Sequence, residues 1–204
     1  MMIEVIVFDL GGVIVNVNFN SALGMLFDNS GKLNAALPNY LSISNLMQEY
    51  ETGKIGAPDF HERLVDHLGL ELSFEDFITS SNEAIEPGED GIESIVRSLG
   101  EEYRLAILSN TNPIHFEHIK KKYAMIGLFE HIILSYEIGV MKPAVLAYEK
   151  LIAATSKSPL KLLFIDDRIE NINAAKELGI DGIHYRSVEN LRRELEKRNI
   201  KVKE

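Results

Sequence analysis

Asp9, Ser109, Lys142, Asp166 and Asp167 all stand just beyond short apolar runs. Asp9 follows IEVIVF (3–8), Ser109 follows RLAIL (104–108) with Asn110 beside it, and Asp166-Asp167 follow KLLFI (161–165). Lys142 lies in the loop after HIIL (131–134), a run that ends at Ser135. Such runs, bounded by turn residues, read as buried strands. In an open α/β sheet, ligands bind outside the carboxyl ends of the strands. Three carboxylates, a hydroxyl and an amine therefore converge on one crevice. Carboxylates held close repel one another unless a cation neutralises them. Oxygen ligands with room for water suit Mg²⁺. A lysine and a serine hydroxyl are the complementary groups for a phosphate. Taken singly, each residue reads as a turn, a helix cap or a solvated charge. Together, in this order, they ask for a divalent metal and a phosphoryl group.

The elements that must position them follow from periodicity. Ile92, Ile95, Val96 and Leu99 recur at helical spacing. The spacing predicts further helices over 115–123, 144–154 (after Pro143), 169–178 (ended by Gly179) and 188–198. A weaker strand is expected at 182–185. From Glu89 onward, helices and strands alternate, the pattern of a parallel sheet covered on both faces. The expected fold is α/β, a doubly wound parallel sheet, with the first strand joining the same sheet. Residues 16–88 differ: helical patterns at 46–52, 57–68 and 73–81, a cap signature at Ser73 with Asp76, and no convincing strand. They are expected to form an inserted α-helical cap, leaving 1–15 and 89–204 as the core.

Composition narrows the function. The 204 residues carry 21 Lys+Arg against 31 Asp+Glu, a net charge of −10. A phosphate backbone repels such a surface, and Lys120-Lys121-Lys122 is too short a basic cluster to reverse that, so no nucleic-acid partner is expected. The absence of cysteine excludes disulfides, thiolate metal sites and a cysteine nucleophile. No apolar stretch approaches the roughly 20 residues of a membrane span. The N-terminal apolar segment contains Glu4 and Asp9 and has no basic leader, unlike a signal peptide. A cytoplasmic enzyme of small metabolites, without a membrane partner, is the expectation.

The segments FDLGGV (8–13), LSNTN (108–112), GVMKP (139–143) and FIDDRIEN (164–171) resemble the four motifs of the haloacid dehalogenase superfamily. More narrowly, they resemble its sugar-phosphate phosphatase branch, of the α-D-glucose-1-phosphate phosphatase type. The resemblance covers nearly the whole chain, helical cap included. It implies that Asp9 is the nucleophile, forming an aspartyl-phosphate that water hydrolyses. It implies phosphate binding by Ser109 and Lys142, with backbone amides near Gly11, Gly12 and Asn110. It implies Mg²⁺ held by Asp9, the Gly11 carbonyl, Asp166 and Asp167, with Asp166 favoured as the direct ligand. The implied partner is a small phosphorylated metabolite.

One position departs from the commonest pattern. Most phosphatases of this superfamily carry a second Asp two residues after the nucleophile, as general acid/base; here that residue is Gly11. The glucose-1-phosphate phosphatase group also carries Gly there. Such a group contributes 10²–10⁴-fold. A substrate with a good leaving group needs it less, which predicts a preference for sugar-1-phosphates over sugar-6-phosphates. A cap residue could replace it, Glu51 and His61 being the candidates. Glu51, Lys54, His61 and Arg63 are the polar cap residues considered for specificity, and Asn16 and Asn18 for the entrance. His115, His118 and His131 do not have metal-ligand spacing and read as structural.

Other readings fit less well. A dehalogenase needs no metal and so no acidic pair after the fourth strand. A phosphomutase needs the acid/base that Gly11 removes. A receiver domain carries its acidic pair on the first strand and has no inserted cap. The rival from another class is a non-catalytic protein that binds Mg²⁺ and a phosphometabolite, or a protein partner, without turnover.

Overall fold

A computed structural model of the chain describes residues 2–18 and 40–203. Residues 19–39, within the expected insertion, lie outside the described residues. Strand β1 (Val5–Phe8) is the centre of a five-stranded sheet. Its neighbours are β4 (Arg104–Ser109) and β6 (Leu162–Asp166), with β5 (His131–Leu134) and β7 (Asp181–His184) at the edges. The order is β5-β4-β1-β6-β7 and every pairing is parallel. The expected doubly wound sheet is therefore the observed one.

The alternation of β1 shows why its run is continuously apolar. Ile6 and Phe8 face one core and Val5 and Val7 the other, all four buried. The first core is covered by α4 (Ile92–Gly100), α5 (Pro113–Lys122) and α9 (Val188–Lys197), through Ile95, Leu99, Ile119 and Leu191. The second is covered by α7 (Val145–Thr155) and α8 (Ile169–Glu177), through Tyr148, Leu151 and Ile172. A four-residue helix, α6 (Ser135–Ile138), continues directly from β5.

The inserted region holds α1 (Tyr40–Glu51), α2 (Ala57–Leu68) and α3 (Phe74–Glu83). They close on their own apolar cluster of Tyr50, Phe60, Leu64 and Phe77, with the Tyr50 and Phe60 rings stacked 4.5 Å apart. The Ser73 hydroxyl accepts from the Asp76 N–H, as the cap signature predicts. The expectation of no strand here is corrected by β2 (Val15–Val17) and β3 (Ile85–Pro87). These pair antiparallel where the chain leaves and re-enters the core. Each is three residues long, too short for a period of two to register against the helices around it.

Contacts with α5 and α6 seat the helical unit on the core. Ile114, on the first turn of α5, packs against its cluster. Gly53, just past α1, has φ +68°, and a Cβ there would lie 2.1 Å from the Tyr136 carbonyl oxygen of α6. Only glycine lets the backbone approach so closely in that conformation.

Candidate active site

The parallel register sets the ends of β1, β4 and β6 side by side. Phe8 pairs with Ile107 and Ile165, so Asp9 falls between the ends of its two neighbours. The Asp9 N–H donates to the Ile165 carbonyl at 2.9 Å, and the Leu10 N–H donates to Asp9 Oδ1 at 2.7 Å. Lys142 is brought in from the loop after α6. Its Nζ lies 2.9 Å from Asp9 Oδ2 and 2.6 Å from Asp166 Oδ2, and 5.2 Å from the Phe164 ring centroid. All three charged groups are buried, so one ammonium faces two carboxylates and balances the charge of only one.

That leaves the cluster acidic. Burial pushes the Asp9 carboxyl well above the usual range; Lys142 opposes the rise and Asp166 adds to it. Burial and Asp166 also raise Asp167, which is the exposed member. One oxygen of each of Asp9, Asp166 and Asp167 lies within 4.8 Å of the others. Hard oxygen donors at that spacing, with an excess of negative charge, fit a divalent cation.

The remaining expected residues divide. Ser109 is buried at the end of β4, and among the described residues its hydroxyl has only a long 3.4 Å contact to the Asn110 carbonyl, leaving it available to a ligand. The Asn110 side chain has a structural job of its own, beside the backbone amide expected to meet phosphate. Its Nδ2 donates to the Lys142 carbonyl at 2.9 Å, and its Oδ1 accepts the Lys142 N–H at 2.8 Å. Both ends of the amide hold the Lys142 backbone. The Gly12 N–H, expected near the phosphate, is taken by the Val15 carbonyl at 2.8 Å. Gly12 instead provides room: its φ is +79°, and a Cβ would lie 2.3 Å from Asp167 Oδ2. At Gly11, a Cβ would lie 3.3 Å from Val17 Cγ2, so β2 crowds the position of the usual second Asp.

Several cap and entrance expectations are corrected. His61 Nε2 lies 2.9 Å from the Leu72 carbonyl and its ring sits among Phe74 and Phe77, so it belongs to the interior of the helical unit. Arg63 pairs with Glu49 at 3.3 Å on the surface. Asn16 and Asn18 bind the Pro87 carbonyl and Glu86 Oε1, fastening the two connecting strands. Lys54 is exposed. Glu51 is half-buried, and burial pushes its carboxyl up to about 6. No basic side chain pairs with it among the described residues.

His115 and His131 make contacts within the fold. His115 sits at the start of α5, its N–H held by the Asn112 cap. Burial pushes its imidazole down to about 4, His118 adding to this against the Ser81 backbone. His131 lies 2.7 Å from Arg104 at the bottom of the sheet. Sequence reasoning missed the role of Asn171, whose Nδ2 lies 3.0 Å from each oxygen of Asp166. Its place five residues after Asp166, early in the following helix, was the available signal.

Comparison with known proteins agrees with this geometry. The model for haloacid dehalogenase-like hydrolases matches residues 3–179. A D-ribitol-5-phosphate phosphatase of Bacteroides thetaiotaomicron is 32% identical over 206 residues, covering 95% of this chain and 97% of that protein. The crystal structure of a HAD family enzyme from the same organism superposes with a TM-score of 0.88 at 22% identity, covering 96% of this chain and 99% of that one. A structure of a HAD family enzyme from that organism in complex with magnesium and inorganic phosphate has a TM-score of 0.79 at 24% identity, covering 91% and 96%. The chain belongs to the haloacid dehalogenase-like hydrolase family.

Proposed function

We propose that the protein is a Mg²⁺-dependent phosphatase of small phosphorylated sugars or polyols, working through an aspartyl-phosphate. The observation that carries this is the Asp9–Lys142–Asp166 cluster, with Asp167 beside it, at the carboxyl edge of the sheet. The family match, the related ribitol-phosphate phosphatase and the magnesium–phosphate complex of a similar fold support it.

Asp9, Asp166 and Asp167, with the Gly11 carbonyl, would hold the cation, which supplies positive charge to the phosphoryl oxygens. The chain's own residues do the rest. The Asp9 carboxylate oxygen attacks phosphorus; the bond between phosphorus and the ester oxygen breaks, and the leaving oxygen takes a proton. Water then attacks the phosphorus of the aspartyl-phosphate, releasing inorganic phosphate and restoring Asp9. Lys142 and the Ser109 hydroxyl stabilise the phosphoryl oxygens in both steps. The Asn110 amide keeps the Lys142 backbone in place for this.

Helices α1–α3 act as the cap over residues 1–15 and 89–204, closing the site to water. Gly53 against Tyr136 fixes the end of α1 and the loop after it, which present Glu51 and Lys54 to substrate. Of the two cap groups considered in place of the second Asp, His61 is bound inside the helical unit, so Glu51 takes the role of proton donor. A good leaving group favours sugar-1-phosphates. The related ribitol-5-phosphate phosphatase is named for a terminal polyol phosphate, whose leaving group needs a donor such as Glu51.

The test is phosphate release from p-nitrophenyl phosphate, glucose-1-phosphate, glucose-6-phosphate and ribitol-5-phosphate, each with Mg²⁺ or chelator, beside Asp9→Asn. Turnover requiring both Mg²⁺ and Asp9 is expected, and the ranking of esters decides the leaving-group argument. Binding of Mg²⁺ and phosphate esters with no turnover of any would replace this proposal by the non-catalytic reading, with Gly11 as its cause.

A further inference from the structure

Asn171 is a buried polar residue on the first turns of α8, outside the phosphoryl chemistry above. Its Nδ2 bridges Oδ1 and Oδ2 of Asp166 at 3.0 Å each. The amide has one sensible orientation, because turning it over would set Oδ1 against two carboxylate oxygens. Oδ1 therefore faces away, buried and without a hydrogen-bond partner among the described residues. The backbone of Asn171 is also tied down. Its N–H donates to the Arg168 carbonyl at 3.1 Å, and its carbonyl accepts the Tyr148 hydroxyl at 2.9 Å. Tyr148 is itself fully buried, edge-on to Phe164. A leucine would fill this space without stranding a buried acceptor. Among the described residues, Asp166 is the one group that the Asn171 side chain serves.

We propose that Asn171 is a positioning residue that sets the orientation of the Asp166 carboxylate toward a divalent cation. The inference rests on the reading of Asp9, Asp166 and Asp167 as a cation site. Asp166 is held by Lys142 Nζ on Oδ2, by the Arg168 N–H on Oδ1 at 2.8 Å, and by Asn171 across both. The bridge fixes rotation of the carboxylate and so the directions of its free lone pairs. Groups that orient a metal's ligands in this way are worth 10–100-fold in metal affinity. Mg²⁺ demands a near-ideal octahedron, whereas Ca²⁺ accepts a range of oxygen geometries. Loosening Asp166 should therefore harm Mg²⁺ binding more than Ca²⁺ binding, which mere loss of packing would not do.

The test is calorimetric titration of the full chain with MgCl₂ and with CaCl₂, for wild type and Asn171→Leu. Mg²⁺ affinity is expected to fall 10–100-fold and Ca²⁺ affinity by a few-fold at most, lowering the Mg²⁺/Ca²⁺ ratio. A ratio within about twofold of wild type overturns the inference. If Asn171→Leu does not fold by circular dichroism, Asn171→Ser is judged by the same ratio. A wild-type chain that binds neither cation overturns the cation reading and this inference together. A wild type that binds both, with an unchanged variant, overturns this inference alone.

Discussion

Replacing Glu51 by glutamine separates the cost of holding a carboxylate in the cap from its use. Burial raises this carboxyl from 4.5 to about 6, with no cation paired to it among the described residues to repay the desolvation. Between those values the folded chain holds more protons than the unfolded one. Stability from this group is therefore complete below the lower value and is lost as pH rises through the upper one. At pH 8 the charged group costs up to about 2 kcal/mol, at 1.36 kcal/mol per pH unit. Glutamine resembles the neutral acid at every pH. The variant should match wild type near pH 4 and exceed it by up to about 2 kcal/mol at pH 8, or about 4–8 °C in melting temperature for a chain of this size. Urea denaturation in chelator at several pH values measures this. The proton-donor role predicts the opposite for catalysis: kcat on sugar phosphates should fall 10²–10⁴-fold, with a smaller effect on p-nitrophenyl phosphate. Equal stability of the two proteins at all pH values would refute the burial argument. Unchanged kcat on every ester would refute the role.

Two other perturbations have defined outcomes. Gly53→Ala puts a Cβ into the Tyr136 carbonyl at a φ of +68° and should cost roughly 1–2 kcal/mol from conformation alone. The displaced loop should raise KM for sugar phosphates more than for p-nitrophenyl phosphate, as steady-state kinetics will show. Lys142→Met removes the one cation that, among the described residues, pairs Asp9 and Asp166, and should destabilise the metal-free protein by about 3–5 kcal/mol. Saturating Mg²⁺ should recover part of that in urea denaturation without restoring turnover.

The sheet was legible in the sequence because its strands are buried on both faces and end in polar residues. A continuous apolar run closed by Asp9, Ser109 or Asp166 marks both the strand and the edge that carries the chemistry. What could not be read was the allocation of hydrogen bonds. Asn110 is expected to offer phosphate its backbone amide, and nothing local shows that its side chain is closed on the Lys142 backbone, far along the chain. Gly12 looks like an amide donor, yet the Val15 carbonyl takes its N–H and Asp167 takes its space. His61 is polar on a largely polar helix, so nothing local shows that it turns inward onto Phe74 and Phe77. These outcomes depend on contacts between segments distant in sequence, which periodicity does not report.

The central place of β1 has a consequence for biosynthesis. In chain order β1 and Asp9 are made well before β6, which pairs beside β1 and ends in Asp166. Until that strand inserts, Asp9 lacks Asp166 and Asp167, and Lys142 has only one of its two anions. A nascent or truncated chain therefore has no assembled site, however well its helical insertion has folded. Metal-dependent turnover would then report that the whole sheet is closed, and a partly made enzyme would leave the cell's phosphate esters untouched.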